Sequence, residues 1–218
     1  MSRATASAPQ PLLDRVLEPG AAADDDPTTE SILDAALEQF ELFGLRRSTV
    51  DDVARRSGVA RVTIYRRFGQ KDRLIEAVML RELRRFLAEL DAAVTPLESV
   101  EQRMVEGFVV TLRFARRHSL VARLLTAEPE TLLPYLTLRG GPLLAIARGF
   151  LAERIRQAQD EGDVGDLDPE QAAEVVVRLM LSFILTPESC VPLNDVRQMR
   201  AFARRYVAPL VTRSEPSE

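Results

Sequence analysis

The stretch from Gly58 to Lys71, GVARVTIYRRFGQK, concentrates side chains that can bind an anionic polymer. It places three arginines and the only lysine of the chain close to one tyrosine. A guanidinium group can make a bidentate hydrogen bond to guanine, and cationic groups neutralise phosphates. Val62 and Thr63 lie in the same stretch, and such side chains can contact the methyl group of thymine. These residue types favour contact with the major groove of duplex DNA.

The charge around this stretch is unevenly distributed along the chain. The 218 residues carry a formal net charge of −4, yet the segment from Arg46 to Arg73 contains nine cations and three anions, an excess of six. A compact basic segment in an acidic chain indicates a local anionic partner rather than general coating of nucleic acid.

The composition argues against several other classes of protein. Cys190 and His118 are the only cysteine and the only histidine, so the chain cannot form an internal disulfide, a cysteine metal cluster or a multi-histidine metal site. No pairing of serine with histidine or of two carboxylates stands out, and we expect no catalytic residues and no cofactor. The chain lacks a membrane-spanning run and the N-terminus lacks a signal-peptide core, which predicts a cytoplasmic protein without a membrane partner.

Helix signals place the stretch in a group of short helices. Residues 1–25 are rich in Ala, Pro, Ser and Asp and are predicted to be a disordered tail. Thr28 or Thr29 can cap a first helix, and Gly44 is expected to end it.

A helix-turn-helix is predicted from residue 49 to residue 68. Thr49 opens its first helix as the start of a capping box, and Gly58 supplies the positive φ of the turn. Ile64 and Phe68 are four residues apart and face inward, which turns the opposite face of the third helix outward. The outward and flanking positions, with two helix starts that can contact phosphate, give the expected DNA-binding set: Thr49, Arg61, Val62, Thr63, Tyr65, Arg66, Arg67 and Lys71.

The rest of the chain shows helical periodicity and no strand-like alternation, so the predicted class is all-α. Asp168 and Pro169 mark a helix start, and the helix behind them is apolar nearly all round, which predicts a central or subunit-covered position. After a fourth helix from Asp72 to about Ala93, the predicted helices span residues 97–117, 119–128, 142–161, 170–185 and 195–211.

The run TVDDVARRSGVARVTIYRRFGQKDRLIEAV resembles the TetR family of bacterial transcriptional regulators. The shared features are the threonine before the second helix, a small residue four before Gly-Val, a Thr-Ile-Tyr triplet, an aromatic residue three further on, and the lysine that opens the fourth helix. The resemblance implies an N-terminal three-helix helix-turn-helix DNA-binding domain over residues 26–86. It implies a larger helical ligand-binding and dimerisation domain over residues 87–213.

The resemblance also implies partners and a mode of action. It implies a homodimer that binds a palindromic double-stranded DNA operator, usually as a repressor, and that dimerises through its last two long helices. The middle helices are expected to enclose a pocket for a small-molecule inducer. Apolar residues of that region and one arginine are the candidate lining, although the apolar ones also suit an ordinary core: Phe108, Leu112, Arg123, Tyr135 and Phe150.

Two other functions stay open at the level of sequence. A protein of the same fold could sense a ligand or bind another protein without regulated DNA binding. A helical enzyme is the other alternative, and two titratable groups within hydrogen-bond reach in a pocket would support it.

Overall fold

The computed structural model describes residues 26–212, and within this range the chain forms helices and no strand. The predicted all-α class is therefore confirmed, whereas the predicted tail over residues 1–25 lies outside the described residues. The α-helices, renumbered in chain order, are α1 (Pro27–Arg47), α2 (Val50–Ser57), α3 (Arg61–Phe68), α4 (Lys71–Val94), α5 (Val100–Arg117), α6 (Ser119–Ala127), α7 (Pro129–Leu136), α8 (Gly141–Asp160), α9 (Pro169–Leu185), α10 (Val196–Phe202) and α11 (Pro209–Thr212).

The first two helices begin at side chains that accept backbone hydrogen bonds. Asp26, rather than Thr28 or Thr29, caps α1, because its carboxylate accepts from the Thr28 amide at 3.0 Å while Pro27 occupies the first turn. The capping box at Thr49 is present, since its hydroxyl accepts from the Asp52 amide at 3.1 Å and the Asp52 carboxylate accepts from the Thr49 amide at 3.0 Å.

The core of the helix-turn-helix half extends beyond the first four helices. Buried residues of α1 to α4 pack with Leu120 and Leu124 of α6 and with Leu132 and Tyr135 of α7 in one cluster. The sequence prediction assigned the residues of both helices to the second domain and contained no helix at the position of α7. Pro134 lies inside α7 and weakens its helical signal, so burial of its apolar face holds the helix in place.

The second core is built by α5, α8, α9 and the C-terminal segment. The last predicted helix is divided into α10, a π-helix (Ala203–Val207) and α11. Pro209 has no amide proton to donate to the preceding turn, and the Ala208 amide reaches five residues back to the Ala203 carbonyl at 2.9 Å. The helical turn just before the proline therefore contains one more residue than an ordinary α-helical turn.

The end of α1 is held against the junction of α6 and α7. Gly44 has φ of 80° and ψ of 169°, so it interrupts the helical dihedral angles there, as predicted, although the hydrogen-bonded helix runs on to Arg47. The carboxylate of Glu128 accepts a hydrogen bond from the Arg46 amide at 2.9 Å. A Cβ on Gly44 would lie 1.8 Å from the Glu128 Oε1 atom, so only glycine fits both the backbone and this contact.

We predict that Gly44→Ala lowers the free energy of unfolding by roughly 1–3 kcal/mol, because it strains the backbone and displaces Glu128. Urea denaturation monitored by circular dichroism measures the change. Gly141→Ala is the matched control, since a Cβ there meets nothing within 4 Å and should leave stability nearly unchanged. Equal stability of Gly44→Ala and the wild-type protein would show that the Glu128 contact does not constrain α1.

Candidate DNA-binding surface and ligand cavity

Helix α3 has one buried face and one exposed face. Ile64 is 1% exposed and anchors the helix in the N-terminal core, with Phe68 packed against the same cluster. On the other side Val62 is 74% exposed, and Tyr65 and Arg66 are also exposed. An apolar side chain left in solvent beside cations is a feature of a contact surface, and here it is the surface that the sequence analysis assigned to DNA.

Arg61 links α3 to α2 through ionic and aromatic contacts. Its guanidinium lies 3.0 Å from the Asp51 carboxylate and donates to the Tyr65 hydroxyl at 3.4 Å. The guanidinium carbon is also 5.2 Å from the centre of the Tyr65 ring. These contacts orient Tyr65 along one edge of the exposed face.

Arg67 differs from Arg66 in what it contacts. Arg67 donates to the side chains of Asp26 and Thr29 at the start of α1. The pKa of Asp26 is lowered, first by the hydrogen bonds from Thr28 and then by the hydrogen bond and charge of Arg67. Within residues 26–212, the Arg66 side chain makes no ion pair and no hydrogen bond. Of these two arginines, Arg66 is therefore the one whose donors stay available to a partner.

Both helix starts expected to contact phosphate lie next to exposed cations. Lys71 is the first residue of α4, its ammonium group is 3.5 Å from the Arg46 carbonyl, and burial lowers its pKa. The Thr49 side chain takes part in the capping box of α2. Arg46 and Arg47 lie just before this helix start, and both are exposed. The predicted set omitted these two arginines, although the count of charge in this segment included them.

The start of α4 is fixed by α7 and the loop behind it. The Asp72 carboxylate lies 2.9 Å from an Arg139 nitrogen and lines the same small cavity as Tyr135. Burial, followed by the nearby Asp72 charge, raises the pKa of Tyr135 to about 12. The ion pair of Asp72 with Arg139 joins the start of α4 to the loop after α7.

A cavity of about 480 Å³ lies between α4, α5, α8 and α9, and its wall is mainly apolar. Phe108 and Phe150 line it, as expected. The other three candidates do not: Leu112 is buried in the core, Arg123 is exposed on α6, and Tyr135 lines a separate smaller cavity beside the start of α4. The exposed position of Arg123 follows from its place on the solvent side of a short amphipathic helix.

The end of this cavity nearest the helix-turn-helix half carries a largely buried polar pair. Glu82 and His118 line it, 3.5 Å apart between Oε2 and Nε2. His118 also caps the end of α5. Burial opposes ionisation of Glu82, yet hydrogen bonding from His118 and the charges of Arg81 and Arg85 keep its pKa below the ordinary value.

Arg81 connects this polar end to α1. Its side chain is 8% exposed and lies 3.2 Å from Glu30, 2.9 Å from Asp34 and 3.2 Å from Glu82. Arg85 contacts the same three carboxylates at 3.2–3.6 Å. A buried guanidinium requires such partners, so this cluster clamps α4 to the first helix of the DNA-binding half.

An all-α chain that presents an exposed basic recognition helix in a helix-turn-helix is a DNA-binding regulator by class. Residues 32–78 match the family model described as bacterial regulatory proteins, tetR family. Residues 100–205 match that of the bacterial tetracyclin repressor, C-terminal domain, and the two matches together span well over half of the chain. The protein belongs to the TetR family of bacterial transcriptional regulators.

Individual relatives agree with this assignment. The HTH-type transcriptional regulator AlkX of Mycobacterium tuberculosis is 29% identical over 186 residues, 81% of this chain and 85% of that protein. The uncharacterized HTH-type transcriptional regulator Rv1255c of the same species is 26% identical over 84% of this chain and 85% of that protein. The crystal structure of the TetR family repressor AlkX from Dietzia sp. strain DQ12-45-1b has a TM-score of 0.65 and 25% identity, covering 83% of this chain and 93% of that one.

The relatives are regulators of transcription, in agreement with the predicted function. Between residues 26 and 212, none of the helices combines the length and the apolarity that crossing a membrane requires.

We predict that Arg66→Ala weakens binding to the specific operator by about 1–3 kcal/mol and relaxes the base preference at one position of each half-site. Fluorescence anisotropy with labelled duplexes measures both effects. The control is Arg84→Ala, which removes the same charge from an exposed site on α4, outside the helix-turn-helix. If both variants lose affinity equally on all sequences, Arg66 contributes charge alone and no base readout.

Proposed function

We propose that this protein is a homodimeric repressor that binds a palindromic operator through α3 and leaves it when a small molecule occupies the cavity. The observation that carries the proposal is the exposed face of Val62, Tyr65 and Arg66. These side chains do not pack in the helix-turn-helix core, so a contact with DNA accounts for their types and their exposure. We place its action in the cytoplasm, where the DNA is.

Helix α4 supports the coupling between the two sites. Leu74, Ile75 and Val78, in its first turns, are buried in the core that holds α3. Phe86 and Leu90, further along the same helix, line the cavity. A ligand that displaces the second part of a continuous helix also moves the first part, and couplings of this kind are typically worth about 1–3 kcal/mol.

An apolar stripe on α9 supports a homodimer. Val175, Leu179 and Phe183 recur every four residues, and Val175 is 53% exposed. The centroids of the Phe183 and Phe202 rings are 5.8 Å apart, and those of Phe202 and the exposed Tyr206 are 5.0 Å apart. The stripe thus continues from α9 onto the C-terminal segment, and a two-fold axis through it would bury both on a second copy.

One similar protein supports the proposed repression, and the wall of the cavity supports a lipophilic ligand. The matched protein from Dietzia is described as a repressor implicated in biodegradation of n-alkanes. The cavity of this chain is mainly apolar, so a lipophilic effector fits its wall better than a sugar or a nucleotide does.

Selection of binding sites from fragmented genomic DNA tests the proposed function most broadly. We expect recovery of a palindrome whose half-sites lie one helical turn apart, with binding that weakens steeply as salt increases. Binding without any preferred sequence would instead favour a ligand sensor that has no regulated DNA target.

We predict that Val175→Asp converts the dimer to a monomer and lowers operator affinity at least tenfold, because two carboxylates would face each other across the two-fold axis. Sedimentation velocity and anisotropy measure the two effects. Leu138→Asp is the control, since Leu138 is 92% exposed on the loop before α8 and its change should affect neither property. A Val175→Asp protein that remains dimeric would place the subunit interface elsewhere.

A further inference from the structure

The large cavity is long and has two unlike ends. On α4 its wall runs from Met79 to Val94, and fifteen residue steps of an α-helix span about 22 Å. On α5 it runs from Val100 to His118, the whole length of the helix and its C-cap residue. An elongated ligand is needed to fill such a space, because a compact one would leave much of the apolar wall uncovered.

The end near the loop between α4 and α5 is open to solvent and holds an unpaired cation. Thr95, Gln157 and Glu161 line this end and are exposed. Arg103 also lines it, is half-buried, and donates through Nε to the Leu97 carbonyl at 2.9 Å. Within residues 26–212, its guanidinium has no carboxylate partner, so its two terminal nitrogens keep donors for an anion.

The other arginine at this end, Arg154, is already paired with a carboxylate. Arg154 lies 2.8 Å from Asp91 and donates to Gln157 at 2.8 Å. It therefore adds no net charge to this end, and Arg103 is the cation left to recognise an acid.

The opposite end does not suit an anionic group. Glu82 and His118 line it, and both are largely buried. The Glu82 carboxylate is held by Arg81, Arg85 and His118, so its hydrogen-bonding capacity is used within the protein. An anionic head group placed there would lie against the Glu82 carboxylate and be repelled by it.

From these observations we propose that the cavity binds a long-chain carboxylic acid, with its hydrocarbon chain along α4 and α5 and its carboxylate on Arg103 at the open end. The proposal rests on the proposed effector role of the cavity and specifies the chemical class of the effector. Each buried methylene adds about a threefold to fourfold increase in affinity, so the chain supplies most of the affinity and Arg103 supplies the selection for an acid.

Calorimetric titration of the full-length dimer with hexadecanoate, 1-hexadecanol and octanoate tests the ligand class. We expect hexadecanoate to bind at least about 100-fold more tightly than octanoate and about tenfold more tightly than the alcohol. Arg103→Met, which keeps an unbranched side chain without the charge, should remove the preference for the acid and leave binding of the alcohol unchanged. Equal binding of acid and alcohol to the wild-type protein, or an Arg103→Met variant that still prefers the acid, would overturn the proposal.

A second pair of variants tests where the chain lies. Gly107 lines the cavity, and a Cβ there would meet Leu90 and Val94 only at ordinary distances of 3.9 and 4.0 Å. Gly107→Ala should therefore bind hexadecanoate normally, whereas the ring of Gly107→Phe should obstruct the passage and lower hexadecanoate affinity at least tenfold. Unchanged binding by Gly107→Phe, in a variant that still binds operator, would place the chain outside the cavity.

Operator release separates this inference from the function on which it rests. Hexadecanoate that binds as described but leaves operator affinity unchanged would support the ligand class and contradict the effector role. Release of operator by a compound without an acidic group, together with no binding of hexadecanoate, would support the effector role and contradict the ligand class.

Discussion

The structure depends on one helix being shared by two hydrophobic cores. The first turns of α4 complete the core that holds the recognition helix, and its later turns form a wall of the cavity. Arg81 lies between these two parts, where its buried charge is held by carboxylates of α1 and α4. Because an unpaired buried charge is costly, α4 cannot move away from α1 without rearranging that cluster.

The recognition surface follows from this arrangement rather than from the helix propensity of α3. The β-branched residues and arginines of α3 make it a weak helix on its own, and burial of Ile64 against the shared core stabilises it. Its arginines also differ in their contacts, since Arg61 is paired with Asp51 and Arg67 with Asp26, while Arg66 makes no ion pair within residues 26–212. Pairing within the protein orients the edges of the surface and leaves its centre free.

Features that depend on neighbouring residues could be predicted from the sequence, whereas contacts between residues far apart in the chain could not. The capping box at Thr49 and the turn at Gly58 are local signals, and both were predicted correctly. The contact of Arg67 with Asp26 joins residues 41 positions apart, and the contact of Glu128 with the end of α1 spans 82, so no local pattern could indicate them. The cavity lining was predicted only in part, since hydrophobicity alone does not distinguish a residue such as Leu112, which fills the core, from one that borders an empty space.

The most direct test of the proposed coupling through α4 is the separation of the two recognition helices in the proposed dimer. Nitroxide labels at Val62→Cys, with the exposed Cys190 changed to Ser, report this separation by pulsed electron paramagnetic resonance. We expect a single narrow distance on the operator, consistent with helices about 34–36 Å apart, and a shift from it when ligand fills the cavity. An identical distance distribution with operator, without operator and with bound ligand would contradict the coupling.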